Sequence, residues 1–228
     1  MQLIFISINL GDVFTPRFVS YLLVILAVAL FGLFRYKRLS PPFKTLVQLI
    51  VLSFLSEFST RLFAYSYGHS YPVYHIFIVA STLYHARIYY LLKPIKNLLK
   101  WVIGIYVSTV LFIEMVSIWI QGNLAFFPSL GLVVNSFFLV SFGLLLFRNM
   151  LRSPKPIPIF HQAIFWFNTG TLVFYSITFF VFGYFKHIMA QAQLLPEWCY
   201  GLIRFSNFVL LACYFLALYY NSQSNKNT

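Results

Sequence analysis

Long apolar runs separated by short polar segments are the dominant pattern along this chain. The runs cover residues 18–34, 43–64, 74–92, 98–120, 126–147, 164–185 and 198–219. Each is close to the roughly 20 residues that an α-helix needs to cross the apolar core of a bilayer. The pattern therefore predicts an all-α membrane protein, a bundle of seven transmembrane helices that forms a single membrane domain over residues 1–228.

Basic residues are concentrated in alternate connecting segments. The first, third and fifth segments carry Arg35, Lys37, Arg38, Lys44, then Lys93, Lys96, Lys100, and finally Arg148, Arg152, Lys155. The second and fourth hold no Lys or Arg, and the sixth holds only Lys186. Because Lys and Arg are enriched in cytoplasmic loops, this distribution predicts an outside N-terminus and a cytoplasmic C-terminus, in the inner (plasma) membrane.

Composition supports a membrane protein and argues against a nucleic-acid partner. Hydrophobic residues make up 61% of the chain and charged residues only 9%, whereas soluble domains contain about 25% charged residues. The net charge of +12 comes from 16 Lys and Arg that are spread between the apolar runs and do not form one basic face. Membrane lipids, and no nucleic acid, are the expected surroundings.

A polar stripe interrupts the second apolar run. Ser53, Ser56, Glu57, Thr60 and Arg61 follow a spacing that places all five on one face of a helix. Ionisable groups within a span are costly and mark functional positions by default. Glu57 also lies four residues before Arg61, the favourable order for an ion pair within a helix. The stripe is therefore expected to face protein, in the outer half of the bundle.

Other spans carry ionisable side chains at a similar depth. His75 begins the third span, Glu114 lies near the outer end of the fourth, and Arg204 lies in the outer half of the seventh. We therefore predict an outer-half pocket that binds a small ligand or a proton, built from Glu57, Arg61, His75, Glu114, Arg204 and Asn207. The alternative is that these residues only connect helices, at about 0.6 kcal/mol per hydrogen bond in a membrane.

Known catalytic and cofactor motifs do not occur in the sequence. No GxSxG, P-loop or GxGxxG pattern is present, and His75 and His85 would lie about 15 Å apart along a helix, too far to share a metal. The last apolar run has no lysine that could hold retinal. We predict no catalytic residue, no cofactor and no metal. An intramembrane lipid enzyme that uses Glu57 and Glu114 as acid and base stays an alternative.

Three segments resemble an uncharacterised seven-helix membrane protein family of Bacteroidota. They are YKRLSPPFKTLVQLIVLSFLSEFSTRLF, YPVYHIFIVAS and FWFNTGTLVFYSITFFVFGYF. Members of that family occur alone or ahead of signalling modules such as histidine kinases, and a Glu in the second span and a His early in the third recur in them. Glu57 and His75 match those positions. The resemblance implies no ligand, and it implies that a free-standing copy either signals through a cytoplasmic partner or has another function.

The favoured function is a receptor- or sensor-like bundle, and it has three alternatives. The first is a small-molecule transporter component, which Asn135, Asn168, Asn207 and His85 would suit because transporters need polar groups at several depths. The second is the lipid enzyme described above. The third is a structural subunit of a larger complex. The sequence favours a protein without catalytic activity.

Overall fold

The fold is all α-helical in the part of the chain that the computed structural model describes, which is residues 15–92, 99–121, 127–152, 157–184 and 197–224. These residues form seven long helices and no strand. The helices are α1 (Pro16–Arg35), α2 (Pro41–Tyr67), α3 (Tyr71–Leu92), α4 (Leu99–Gln121), α5 (Ser129–Arg152), α6 (Ala163–Gly183) and α7 (Glu197–Ser224). The prediction of an all-α protein is confirmed.

Six of the seven described helices are long and apolar enough to cross a membrane, the exception being α3. That helix has sufficient length at 22 residues, but its sequence includes His75, His85 and Arg87. The surface of the bundle is apolar as well: the Phe34 side chain is 86% exposed and that of Trp119 is 83% exposed. Large apolar side chains facing outward at this density indicate a multi-pass protein embedded in lipid.

The predicted spans each overlap one of these helices, with shifted ends. Most helices extend beyond the apolar runs by a turn or less, because helix capping and not hydrophobicity determines where a helix stops. The predicted limits at residues 98, 126 and 185 lie outside the described residues, as do Asp12, Lys93, Lys96, Lys155 and Lys186.

Local sequence explains the ends of the first two helices. Pro16 and Pro41 occupy the first turns of α1 and α2, where a missing N–H costs nothing, and the Thr15 hydroxyl accepts a hydrogen bond from the Phe18 N–H at 3.3 Å. Helix α2 ends at Gly68, whose φ of 75° is a left-handed conformation that glycine adopts without strain.

The helices form a closed ring in which each packs against its neighbours in sequence and α7 returns to α1. Contacts between α3 and α5 bring α3 toward the interior of the bundle. Glycines allow neighbouring helices to approach each other closely. A Cβ at Gly170 of α6 would lie 2.7 Å from the Cβ of Cys213 in α7, too close for any side chain. Small residues at helix contacts are a general feature of membrane bundles.

An aromatic layer fills the interior between α3, α4, α5, α6 and α7. The Tyr89 ring lies 5.1 Å from that of Phe142 and 5.8 Å from that of Phe167, and Phe167 stacks on Tyr214 with 5.7 Å between ring centroids. Tyr106 joins the layer through Phe142. These rings are buried, so this level of the bundle is densely packed.

Candidate functional site

A cavity of about 590 Å³ lies in the end of the bundle where α1, α3, α5 and α7 begin. This volume is within the range of about 300–1,000 Å³ that small-molecule sites occupy. Six of the seven helices contribute to its wall. Polar lining groups are Ser53, Ser56, Glu57, Ser70, Ser81, His85, Asn135, Thr178 and Asn207, and the aromatic ones are Tyr21, Tyr71, Tyr74, Phe77, Phe127, Phe174, Tyr175, Phe182, Tyr200 and Tyr214.

The Glu57 carboxyl group faces this cavity without a protein partner. It makes no hydrogen bond and no ion pair within 4.0 Å to any residue that the structure describes. Tyr21 of α1 and Tyr74 of α3 lie within electrostatic range of it. The Glu57 side chain is half-buried, and a carboxyl group removed from water is normally hydrogen-bonded or paired, because leaving it without compensation costs several kcal/mol. Its position on the cavity wall leaves the carboxyl group accessible to water or to a bound molecule.

The intrahelical pair between Glu57 and Arg61 does not form. The guanidinium carbon of Arg61 lies 4.2 Å from the centroid of the Phe18 ring, in a cation–π contact with α1. Arg61 is within electrostatic range of Glu57 but does not line the cavity. The spacing of four residues permits an ion pair without requiring one. Here the Arg61 guanidinium contacts the aromatic ring of Phe18 on a neighbouring helix instead.

The deep end of the cavity carries polar groups that already have partners. Asn135 Oδ1 accepts hydrogen bonds from the hydroxyls of Tyr106 at 2.6 Å and Thr82 at 3.3 Å. His85 Nδ1 lies 2.8 Å from the carbonyl oxygen of Ser81, and its Nε2 lies 3.5 Å from the Tyr175 hydroxyl. These contacts connect α3 to α4, α5 and α6, so they fix the floor of the cavity.

A second polar centre joins α3 to α4 away from the cavity wall. His75 Nδ1 and Glu114 Oε2 lie 2.6 Å apart, and both side chains are 4% exposed. The other carboxyl oxygen of Glu114, Oε1, has no hydrogen bond to a described residue. Neither residue lines the cavity. This centre is buried in protein and lies outside the wall of the cavity that Glu57 faces.

Gly131 of α5 provides the room for the Glu114 carboxyl group. A Cβ at residue 131 would lie 1.6 Å from Glu114 Oε1 and 2.8 Å from its Cδ. No side chain larger than hydrogen fits there unless Glu114 moves. The centre therefore depends on three helices, with α3 providing the imidazole, α4 the carboxyl group and α5 the space.

The six residues of the predicted pocket do not form one cluster. Glu57 and Asn207 line the cavity, whereas His75 and Glu114 bond to each other elsewhere. Arg61 contacts Phe18 instead of the cavity, and Arg204 is exposed on α7. Similar depth on neighbouring helices does not imply a shared site, because rotation of each helix about its axis decides which way a side chain points. Ligand binding by these residues stays a prediction.

The aromatic wall and the role of Gly131 were not predicted from the sequence. Tyr21 lies within an apolar run and Tyr74 precedes His75, so neither differed from the aromatic residues expected at span ends. Gly131 had no recognisable motif around it. Its importance depends on a residue 17 positions away, Glu114, and only the contact between α4 and α5 shows this.

Comparisons with known metal sites and known proteins give no further identification. The described residues contain no group of three or more His, Cys, Asp or Glu side chains that could hold a metal ion. No protein-family model, curated protein or solved structure matches the chain. The resemblance to the Bacteroidota family therefore stays an expectation, and the function has to be argued from the cavity itself.

Proposed function

We propose that this protein is a receptor- or sensor-like membrane bundle whose cavity binds a small ligand. The observation that carries the proposal is the Glu57 carboxyl group, which faces a 590 Å³ cavity and has no partner among the described residues. Structural carboxyl groups in a bundle are expected to be paired, as Glu114 is. Catalytic and metal functions have no comparable support in the described part of the chain.

Ligand binding at this position would act on helix packing. The cavity wall combines α1, α2, α3, α5, α6 and α7, so a bound molecule contacts helices that are far apart in sequence. A ligand shifts a conformational equilibrium by its difference in affinity for two states. We propose that this shift reaches the opposite end of the bundle, where the connecting segments would contact a cytoplasmic signalling partner.

Seven spans, with an outside N-terminus and a cytoplasmic C-terminus, are part of the proposal. Burial supports counting α3 as a span: its His75, Thr82 and His85 side chains are 4%, 0% and 1% exposed, so these polar groups face protein and not lipid. Arg87, nearer the C-terminal end of the helix, is exposed. Reporter tags test the orientation. Tags after Ser153 and after Thr228 should report cytoplasm and one after Gly122 the outside, and the reverse pattern would place the cavity on the cytoplasmic face.

Transport is the second candidate, and one observation favours it. The cavity extends inward from Glu57 to His85 and Asn135, so polar groups occur at more than one depth, as transport requires. The described helices are continuous, whereas transporter sites are commonly built on broken helices. Accumulation of a ligand in proteoliposomes would separate the two functions, because a receptor binds without producing flux.

The test of the proposed function is ligand-dependent stability. Purified protein would be screened for thermal stabilisation by a small-molecule library, together with Glu57→Gln and Arg204→Gln variants, since a ligand stabilises the state that it binds. Arg204 is the matched control, because it is charged but exposed and outside the cavity wall. Stabilisation of the parent and of Arg204→Gln that is lost in Glu57→Gln is expected. Absence of any stabilising compound would overturn the proposal.

A further inference from the structure

We infer that the cavity selects a small organic cation, a protonated or quaternary amine that carries an apolar group. This inference rests on the proposed ligand-binding function and specifies the class of ligand. It follows from the charge of the cavity wall, the free acceptor atoms on it and the aromatic rings around them.

The charge of the cavity wall is opposite to that of the protein. The chain has 16 Lys and Arg against four Asp and Glu. Yet among the described residues the wall contains one carboxyl group, that of Glu57, and no Lys or Arg. Its histidine, His85, lies at the deep end and already contacts Ser81 and Tyr175. Arg61 is within electrostatic range of Glu57, but its guanidinium lies over Phe18 and outside the cavity wall. A wall that carries a carboxyl group and no basic side chain favours a positively charged ligand.

Two acceptor groups on the cavity wall remain available, the Glu57 carboxyl group and the Asn207 amide oxygen, beside the hydroxyls of Ser56, Tyr21 and Tyr74, which can donate or accept. Both carboxylate oxygens of Glu57 lack a hydrogen bond to a described residue. Asn207 donates through Nδ2 to the Ile203 carbonyl oxygen at 3.1 Å, which leaves its Oδ1 as an acceptor on the cavity wall. An ammonium group supplies donors and no acceptor, so it complements these atoms. An anionic ligand would instead meet the Glu57 charge in a poorly solvated space.

Aromatic rings complete the environment that a cation needs. Tyr21 and Tyr74 lie within electrostatic range of Glu57 and line the same cavity. The faces of tyrosine rings attract ammonium groups, and recognition of quaternary amines commonly combines several such rings. Beyond them, Phe77, Phe174 and Leu210 offer apolar surface to the rest of the ligand. Arg61 does not compete for the site, because its guanidinium lies over Phe18.

Three probes of nearly equal size separate charge from shape: 2-phenylethylamine, 2-phenylethanol and phenylacetate. Binding would be measured by calorimetry on the full chain in nanodiscs, with Glu57→Gln as the test variant and Arg204→Gln as the matched control. We expect the amine to bind most tightly and its affinity to fall at least about tenfold in Glu57→Gln, since a charge-assisted contact is lost. Arg204→Gln should bind the amine as the parent does.

Two results would overturn the inference, and they differ in what they imply for the proposed function. Preferential binding of phenylethanol or phenylacetate, or stabilisation only by neutral or anionic members of the wider library, would exclude the cation and leave a ligand-binding cavity. Failure of every probe and of the whole library would overturn both. A further variant, Tyr74→Phe, keeps the ring and should retain amine binding, whereas Tyr74→Leu should weaken it, and equal binding by both would remove the aromatic contribution.

Discussion

Two glutamates of the same chain lie in opposite environments. Glu114 is buried in contact with the His75 imidazole, lies against Gly131 of α5 and is not part of the cavity wall. Glu57 has no partner among the described residues and faces a cavity of about 590 Å³. The difference shows that an acid within an apolar helix can be paired inside the bundle or left accessible on a cavity wall, and that the neighbouring helices decide which.

The largest loss of stability is expected when the contact between His75 and Glu114 is broken. His75→Leu leaves the Glu114 carboxyl group buried without its imidazole, and we expect a loss of about 3 kcal/mol in the free energy of unfolding. Unfolding in mixed detergent micelles measures it. The double variant with Glu114→Leu should recover at least half of the loss, because an apolar pair needs no compensation. A His75→Leu protein as stable as the parent would show that the contact contributes nothing.

A smaller loss in the free energy of unfolding is expected when a side chain fills the space that Glu114 occupies. Gly131→Ala forces the carboxyl group away from the added Cβ and out of its bond with His75, at a cost of about 1–2 kcal/mol. Gly104→Ala on the preceding helix is the control, since a Cβ there has nothing within 4 Å. In a Glu114→Ala background the Gly131→Ala change should cost little. An equal cost in both backgrounds would mean that Glu114 is not what Gly131 accommodates.

The cavity wall and the buried core should also differ in how fast an introduced cysteine reacts with a water-soluble reagent. In a chain whose Cys199 and Cys213 are replaced by alanine, a cysteine at Ser56 on the cavity wall should react with a cationic methanethiosulfonate. A cysteine at Ser136, which is fully buried in α5, should react at least about tenfold more slowly, because thiol reactivity follows exposure. Equal rates would indicate that the cavity is closed to the reagent or that the core is open to it.

The smallest effect is expected for Glu57 itself. Glu57→Gln keeps the size of the side chain and breaks no contact to a described residue, so the unfolding free energy should change by less than about 0.5 kcal/mol. Unfolding of the ligand-free protein, compared with that of Glu114→Gln, measures this. If Glu57→Gln were as destabilising as Glu114→Gln, the two glutamates would both be structural and the comparison would fail.

The seven described helices overlap the predicted spans because helix formation in an apolar run has a local cause. A run of apolar residues of the right length folds as a helix in lipid whatever its neighbours are, since the backbone must satisfy its own hydrogen bonds. The predicted helix ends were less accurate, because a helix stops where single capping residues such as Thr15 and Gly68 bond or turn the backbone, and hydrophobicity does not report this. The candidate residues Glu57 and Asn207 were found from polarity and periodicity, and both line the cavity.

What the sequence could not determine is which polar residues meet. Depth along a helix follows from residue number, whereas the direction of a side chain around the bundle depends on how seven helices rotate and pack. This rotation brings His75 to Glu114 across 39 residues and leaves Glu57 facing open space. The sequence by itself therefore determined an all-α membrane bundle with two acids within its helices. The tertiary structure alone decided which acid is paired and which has no partner among the described residues, because pairing depends on distances between helices.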